Sequence, residues 1–303
     1  MTPTTPDLGA LPVRRLGPAD LEACLDLAED RRWGRDERMW RLLLTAGQGY
    51  GIPAPPGDPH GGLIASLVAT SYGSGHGASH GSAYRCLGMM LVARRHERRG
   101  LGRRLLRHVL DQAPTAAAFL TATEQGRPLY EGLGFKAVGQ LTTLYGAFTG
   151  EQPPGALPAG AVVRPATAAD LPDILAYDLP VFGADRTFLL ARLPSFAEQL
   201  LVARAADGRL TGFAACRPNR PSTFVGPLLA EDETTAAQLI TTLARQAPPP
   251  LRFDVDDRHP GLAAWLRANG LHPANRSTLM VLGAPDLPGD ISRRFAPYSV
   301  ALG

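Results

Sequence analysis

A short basic segment carries the residue types best suited to binding a phosphate. Between Arg94 and Arg107 the sequence has seven arginines and one glutamate, whereas the net charge of all 303 residues is only +3. The positive charge is therefore concentrated here, and Gly100 and Gly102 lie in the middle of it. Glycine lets an anion approach the backbone closely, and the arginines add attractive charge. This segment is expected to bind a phosphate-sized anion.

The elements around the basic segment place it between a strand and a helix. Met89–Val92 is a short apolar run, which is typical of a buried strand. Apolar residues then recur with helical spacing at Leu101, Leu105, Leu106, Val109 and Leu110. The first N–H groups of a helix have no partner within the helix, and the helix dipole places partial positive charge at that end. Strand, glycine turn and helix start together predict an anion nest of backbone amides, with a solvated basic helix start as the alternative.

This arrangement resembles the acyl-CoA-binding motif of the GNAT acetyltransferases, in which a splayed strand is followed by Arg/Gln-x-x-Gly-x-Gly/Ala and a helix. The corresponding residues here are Glu97, Arg98, Arg99, Gly100, Leu101 and Gly102. Glu97 departs from the family pattern, but the motif works largely through backbone N–H groups, which any residue supplies. The resemblance implies that acetyl-CoA is the co-substrate. It implies a pyrophosphate site at Arg98, Arg99, Gly100, Leu101, Gly102 and Arg103, and backbone contacts to the pantetheine amides from Met90, Leu91 and Val92.

A second segment, Ala117–Phe135, resembles the same family. It is predicted to form a strand, a turn, a short helix over residues 127–132, and a final strand starting near Phe135. In the family this short helix contains a tyrosine, and Tyr130 occupies that position. The resemblance implies that Tyr130 donates a proton or a hydrogen bond to the sulfur of coenzyme A. A packing role for the ring is the alternative.

The acceptor side of the site is less well defined. Acetyl transfer needs an amine with a free lone pair, so a general base must accept the proton of the amine. The candidates for this base are Glu124, Glu37 and Asp36. Each could equally be a solvated carboxylate, and none is assigned. Trp33 and Trp40 are seven residues apart and share one face if the whole segment is helical. In the family this region usually covers the acceptor pocket, so Trp33 could line it, with core packing as the alternative.

The chain repeats itself at an offset of 150 residues. The stretch VRRLGPADLEACLDL from Val13 corresponds to VRPATAADLPDILAY from Val163, and each predicts a short strand followed by a helix. In the first copy Asp20 is placed to cap the helix. Together with the family resemblance, the repeat implies an α/β (α+β) fold of two tandem GNAT-like domains, each a mixed, mostly antiparallel sheet flanked by helices. The expected limits are 11–146 for the first domain, 147–160 for a Pro- and Gly-rich linker, and 161–303 for the second domain with its tail.

The two repeats differ at the phosphate-binding segment. The stretch of the second repeat that follows Gly226 has no glycine turn and no arginines before its helix. It carries three carboxylates that would repel a pyrophosphate: Glu231, Asp232 and Glu233. We therefore expect one cofactor site, in the first repeat, and a degenerate second domain that helps to shape the acceptor pocket.

Composition argues against several other classes of protein. No apolar run approaches the roughly 18 residues that span a bilayer, so no membrane association is expected. The N-terminus lacks the layout of a secretory signal, and the three cysteines are too scattered for a disulfide framework, so a cytoplasmic location is expected. His76 and His80 lie in a Gly- and Ser-rich predicted hairpin with no third ligand, so no metal is expected. No aromatic residues are interleaved with the arginines, which argues against a nucleic-acid partner.

The expected activity is acetylation of a small-molecule amine by direct attack on acetyl-CoA in a ternary complex. A non-catalytic acyl-CoA-binding or scaffold protein is the alternative, because Glu97 departs from the motif and no general base is evident.

Overall fold

The computed structural model describes residues 8–73, 84–114, 116–150, 155–219 and 221–303. The chain divides into two compact units, one of residues 1–71 and 85–116 and the other of residues 72–84 and 117–303. Across the described ranges no helix is long and apolar enough to cross a bilayer, and no cluster of three His, Cys, Asp or Glu side chains is placed to hold a metal ion. His76 and His80 lie outside the described residues.

Within its described residues, the first unit contains four strands and three α-helices. The strands are β1 (Arg14–Leu16), β2 (Gln48–Pro53), β3 (Leu63–Tyr72) and β4 (Tyr84–Val92). They lie in the order β1-β2-β3-β4, with β1 antiparallel to β2 and β2 antiparallel to β3. The helices are α1 (Leu21–Asp30), α2 (Glu37–Ala46) and α3 (Leu101–Asp111).

Helix α3 has the predicted apolar face. Its side chains Leu101, Leu105, Leu106 and Val109 are buried, whereas Leu110 is only half-buried. Burying one stripe of a helix fixes its rotation about its own axis, so the start of α3 is held in a defined orientation at the end of β4. The predicted order of strand, glycine turn and helix is confirmed.

The condition under which the two tryptophans would share one helical face is not met, because the segment is not a single helix. Helix α1 ends at Asp30, and α2 begins at Glu37. The carboxylate of Asp36 caps α2 by accepting a hydrogen bond from the Met39 amide at 2.9 Å. This capped start makes α2 a separate helix. Trp40 is fully buried, whereas Trp33 lies in the intervening loop with 43% of its surface exposed.

The second unit contains nine strands and six helices within its described residues. The strands are β5 (Ala117–Ala122), β6 (Lys136–Gly146), β7 (Val162–Pro165), β8 (Gln199–Arg204), β9 (Leu210–Asn219), β10 (Ser222–Ala230), β11 (Leu251–Asp256), β12 (His272–Leu282) and β13 (Arg294–Ala296). The helices are α4 (Arg127–Glu131), α5 (Leu171–Phe182), α6 (Thr187–Leu190), α7 (Leu193–Phe196), α8 (Glu233–Ala244) and α9 (Pro260–Ala268). Eight strands follow the order β5-β12-β6-β11-β10-β9-β8-β7, and β13 pairs with β10. Only the β10–β11 pair is parallel among these, so the sheet is mixed and mostly antiparallel, as predicted.

The two repeats exchange their last strands. Strand β12, from the second repeat, lies between β5 and β6 of the first repeat. Strand β6 in turn lies between β12 and β11 of the second repeat. Side chains support this pairing, since Thr143 donates to the carboxylate of Asp254 at 2.6 Å. The end of the first repeat therefore packs with the second repeat, and the compact units divide the chain differently from the sequence repeat.

The internal repeat extends to individual hydrogen bonds. Arg14 donates to Asp20 at 2.6 Å, and Arg164 donates to Asp170 at 2.7 Å, with the same spacing in sequence. The prediction that Asp20 caps α1 is wrong: Asp20 precedes the helix, but its side chain accepts no hydrogen bond from the amides of α1. It ends a 3-10 turn, and its carboxylate is turned back to the Gly17 amide at 2.9 Å. Asp170 makes the equivalent contact to its own turn in the second repeat.

This duplicated contact predicts unequal effects of the same substitution. The side chain of Asp170 is 2% exposed and is also bound by Arg204, whereas that of Asp20 is 18% exposed. Asp170→Asn should lower the free energy of unfolding by about 2–3 kcal/mol, because it removes the counter-charge of Arg164 and one of the two carboxylates that bind Arg204. Asp20→Asn should lower it by about 1 kcal/mol or less. Urea unfolding at pH 7 measures both.

The pH dependence of this difference has a definite sign. The hydrogen bond from Arg164 holds the pKa of Asp170 far below its usual range. The unfolded chain therefore binds the proton first, so the stabilisation by Asp170 is present above about pH 4 and is lost as the pH falls further. The difference in the free energy of unfolding between the wild type and Asp170→Asn should become smaller below about pH 4. Equal losses for the two variants at pH 7 would contradict this account.

Candidate functional site

Strand β4 is distorted just before the basic segment. Met89 has a backbone φ of +53°, a conformation that non-glycine residues rarely adopt, and its carbonyl accepts a hydrogen bond from Ser66 at 3.0 Å. The burial pattern is irregular at this point, because residues 85–88 are all buried and are followed by two successive half-buried residues, Met89 and Met90. The distortion turns part of the strand's backbone out of the regular pleat, and such irregularities are typical of binding sites.

The start of α3 is an open nest of backbone amides. Arg98 has a φ of +58° and Gly100 a φ of +75°, so the chain turns sharply and enters the helix without a side-chain cap. Within the described residues, none of the amides of residues 98–103 donates a backbone hydrogen bond, and the first such donor is Arg104. A Cβ atom added at Gly100 would meet no atom within 4 Å. The space beside Gly100 is therefore open, and the amides of this helix start are not used by the protein's own backbone.

A buried carboxylate holds the turn that precedes this nest. Asp58, in the loop between β2 and β3, accepts hydrogen bonds at 3.0 Å from both Arg95 and His96. Its side chain is only 4% exposed. Burial by itself raises the pKa of Asp58, but the hydrogen bonds from Arg95, His96 and the His60 amide outweigh it and hold that pKa well below its usual range. Asp58 is therefore a permanent anion that fixes the 3-10 turn at residues 94–96.

Two further contacts from helix α1 and the loop after it tie down the same turn. The carboxylate of Asp30 accepts from the Arg94 amide at 2.8 Å, and Glu97 forms an ion pair with Arg31. Glu97, the residue that departs from the family motif, thus has a local partner that offsets its charge. The pair is partly exposed, so its role is to position the turn more than to add stability.

Not all of the arginines in the basic segment are free to bind a ligand. Arg95 is bound to Asp58, and Arg104 donates to the carbonyls of Leu8, Gly9 and Leu11. Five exposed arginines of the segment have side chains that form no ion pair or hydrogen bond with any other described residue: Arg94, Arg98, Arg99, Arg103 and Arg107. Three of these, Arg98, Arg99 and Arg103, belong to the stretch whose amides are unpaired.

The second repeat closes the equivalent helix start. Asp232 caps α8, and its carboxylate accepts from the Thr235 amide at 2.7 Å. A carboxylate thus sits where the first repeat has the open space at Gly100. In the second repeat a carboxylate of the chain itself therefore binds one amide of the helix start and adds negative charge there.

Tyr130 lies on α4 of the second unit and is 7% exposed. Its ring packs edge-on against Phe135 at 6.0 Å between ring centroids, so the packing role considered from sequence is present. Its hydroxyl forms no hydrogen bond with another described residue. Burial raises the pKa of Tyr130 to about 12, and the hydroxyl therefore stays protonated over the neutral and alkaline range.

The candidate general bases have different surroundings. Asp36 caps α2, and Glu37 forms an ion pair with Arg41 at 2.6 Å, so both are engaged in the first unit. Glu124 is exposed in the turn between β5 and α4, and no described residue pairs with it. Strand β4, the amides at the start of α3 and Trp33 thus belong to the first unit. Glu124, in the turn before α4, and Tyr130, on α4, belong to the second unit.

The sequence gives no clear signal for Asp58 or His96, and the family resemblance implies a splayed strand without locating its distortion at Met89. Asp58 lies far from the motif in sequence, and nothing in its local pattern, Pro-Gly-Asp-Pro, indicates a buried ion pair. The strain at Met89 depends on pairing between strands, which has no local signal. The available hint was His96, a histidine placed between a strand and a glycine turn.

Two family models match the chain, both described as an acetyltransferase (GNAT) domain. One covers residues 66–146 and the other residues 174–296. The chain is also 33% identical over 187 residues to the uncharacterized N-acetyltransferase YitH of Bacillus subtilis (strain 168), a match that covers 61% of this chain and 65% of that relative. The match thus spans less than two thirds of the relative's length.

Solved structures share the fold over most of this chain. A putative acetyltransferase from Pyrococcus horikoshii superimposes with a TM-score of 0.74 at 18% identity, covering 100% of this chain and 99% of the other. A tandem GNAT protein from the clavulanic acid biosynthesis pathway gives a TM-score of 0.61 at 15% identity, covering 91% and 99%. At these identities the likeness shows the fold alone. With a GNAT domain model matched in each repeat, the chain belongs to the GNAT acetyltransferase family as a tandem-domain member.

Proposed function

We propose that the protein is an N-acetyltransferase that transfers the acetyl group of acetyl-CoA to a small-molecule amine by direct attack in a ternary complex. The observation that carries the proposal is the open start of α3, where the amides of residues 98–103 have no backbone partner among the described residues. In the second repeat Asp232 fills the corresponding place, so we propose a single cofactor site, in the first repeat.

The residues at this site fit the chemistry of coenzyme A. Unpaired amides at the positive end of a helix suit a pyrophosphate, and Gly100 leaves space for it. Arg98, Arg99 and Arg103 are exposed beside these amides and would pair with the phosphate oxygens. The backbone of Met90, Leu91 and Val92, beyond the distortion at Met89, would bind the amides of the pantetheine arm.

Acetyl-CoA supplies an activated acyl group and a thiolate leaving group. We propose that Tyr130 donates a hydrogen bond to the departing sulfur. A thiol has a pKa near 8.5 and Tyr130 has one of about 12, so complete transfer of the phenolic proton to the thiolate is unfavourable. The phenol instead stabilises negative charge on sulfur as it develops, and it remains a donor throughout the physiological range.

The acceptor amine must reach the site unprotonated. We propose Glu124 as the group that receives its proton, since it is exposed and unpaired within the described chain, while Asp36 and Glu37 are occupied locally. Trp33 stays a proposed wall of the acceptor pocket, because a large exposed apolar side chain in a loop of this family member is available for contact with a substrate.

Calorimetric titration with coenzyme A tests the cofactor site. Gly102 is the second residue of α3, where glutamate is favoured both by helix propensity and by the helix dipole. Gly102→Glu should therefore keep or raise the melting temperature of the free protein, yet weaken coenzyme A binding by about 100-fold or more through charge repulsion and lost backbone access. Gln112→Glu, which adds the same charge just beyond the opposite end of α3, is the control and should change affinity by about twofold at most. Unchanged affinity in Gly102→Glu would remove the basis of the proposal.

Tyr130→Phe separates catalysis from packing. The substitution keeps the ring and its contact with Phe135, and it should lower kcat by about 100-fold while the affinity for coenzyme A changes by about twofold at most. Tyr145→Phe, at a half-buried tyrosine of β6, is the control and should leave kcat unchanged. Because its pKa is about 12, Tyr130 should cause no loss of activity between pH 7 and pH 10. An unchanged kcat in Tyr130→Phe would mean that the ring serves packing alone. If the unaltered protein binds coenzyme A but releases no thiol from acetyl-CoA with any amine, the non-catalytic alternative is favoured.

A further inference from the structure

A second polar cleft lies in the first unit, at the far end of α3. It has a volume of about 500 Å³ and is lined by β1, β2, the start of β4 and the last turns of α3. His108, on its wall, follows Gly100 by eight residues, which places it about 12 Å along the helix from the phosphate-binding turn. The cleft is therefore separate from the proposed cofactor site.

The cleft contains a buried arginine without a counter-charge. Arg85 is 5% exposed, and its guanidinium donates to the carbonyl of Val109 at 2.9 Å. Among the described residues no carboxylate forms an ion pair with it. Arginine is rarely buried unless it is paired, and the carbonyl at the end of α3 supplies only the partial negative charge of the helix dipole.

A second arginine of the cleft, Arg15, is exposed and also has no carboxylate partner among the described residues. Arg15 lies over the ring of Tyr50 at 4.6 Å and donates to the side-chain oxygen of Gln48 at 3.1 Å, so its described contacts are all uncharged. Arg14, also on the wall, is paired with the carboxylate of Asp20. None of the described lining residues is acidic. Within the described residues, two guanidinium groups of the cleft therefore lack a counter-charge.

The fold itself does not require these charges. Counting from the matched residues Gly88 and Gly226, Arg85 corresponds to Thr223 in the second repeat, whose hydroxyl donates to the carbonyl of Pro248 at 2.7 Å. Threonine thus satisfies a nearby carbonyl in the second repeat without burying a charge. Burying an unpaired guanidinium is costly, so its presence in the first repeat needs another source of stabilisation.

We propose that this cleft binds a small organic dianion, a dicarboxylate or a phosphate ester, that supplies the missing counter-charge of Arg85 and Arg15. The planar guanidinium group binds either anion through two parallel hydrogen bonds. The volume of the cleft is within the range of small-molecule sites and exceeds that of a single phosphate ion. Tyr50, Gln48 and His108 add polar groups that would orient the rest of the ligand. This inference goes beyond the proposed acetyl transfer and does not depend on it.

The test is titration of the protein with succinate and, separately, with glycerol 3-phosphate, at constant ionic strength. The measurements use the Gly102→Glu background, so that binding of either anion at residues 98–103 does not contribute. At least one of the two dianions should bind and raise the melting temperature, and acetate should bind at least about tenfold more weakly because it has one charge. The dianion that binds more tightly identifies the ligand as a dicarboxylate or a phosphate ester.

Substitutions locate the binding. Arg85→Gln and Arg15→Gln should each weaken it about tenfold or more, since each removes a charge-assisted pair. Arg107→Gln is the matched control, because Arg107 is exposed on α3 and does not line the cleft, and it should change affinity by about twofold at most. Arg15 is exposed, so its variant reports on the cleft even if Arg85→Gln does not fold. Binding of neither dianion, or equal losses in Arg15→Gln and Arg107→Gln, would overturn the proposal.

Discussion

The structure of the proposed site depends on a helix start that is left without a cap. Gly100 enters α3 with a φ of +75° and has no side chain to accept hydrogen bonds from the amides that follow. In the second repeat Asp232 caps α8 through the Thr235 amide. Leaving the amides of one helix start unsatisfied costs stability unless water or a ligand replaces the cap. The duplicated fold therefore shows both solutions, an open helix start in one repeat and a closed one in the other.

The surrounding residues keep this open start in place without filling it. Asp58 binds Arg95 and His96, and Asp30 binds the Arg94 amide, so carboxylates hold the turn from behind. The charges that remain unpaired in the basic segment include Arg98, Arg99 and Arg103, next to the free amides. Preorganisation of this kind means that a phosphate would meet donors already aimed at it, with little ordering cost on binding.

Much of this could be predicted from sequence because its signals are local. The spacing of Leu101, Leu105, Leu106 and Val109 predicts the face of α3, and the repeat at an offset of 150 residues predicts the duplicated strand and helix. The exchange of β6 and β12 could not be predicted, since a strand's own pattern does not indicate its partner. The separate start of α2 depends on a single capping bond to Asp36, and the ion pair of Asp58 depends on a contact that is remote in sequence. A count of charges also could not distinguish Arg95 and Arg104, which are bound within the protein, from the arginines that are not.

The central claim is that the amides of residues 98–103 bind the pyrophosphate of coenzyme A. The most direct measurement is backbone amide NMR of the protein during titration with coenzyme A, with dephosphorylated pantetheine as the ligand that lacks the pyrophosphate. The account predicts that the largest shifts on adding coenzyme A fall on residues 98–103, and that pantetheine leaves these amides unshifted. Saturation with coenzyme A without shifts in these amides, or equal shifts with pantetheine, would contradict it.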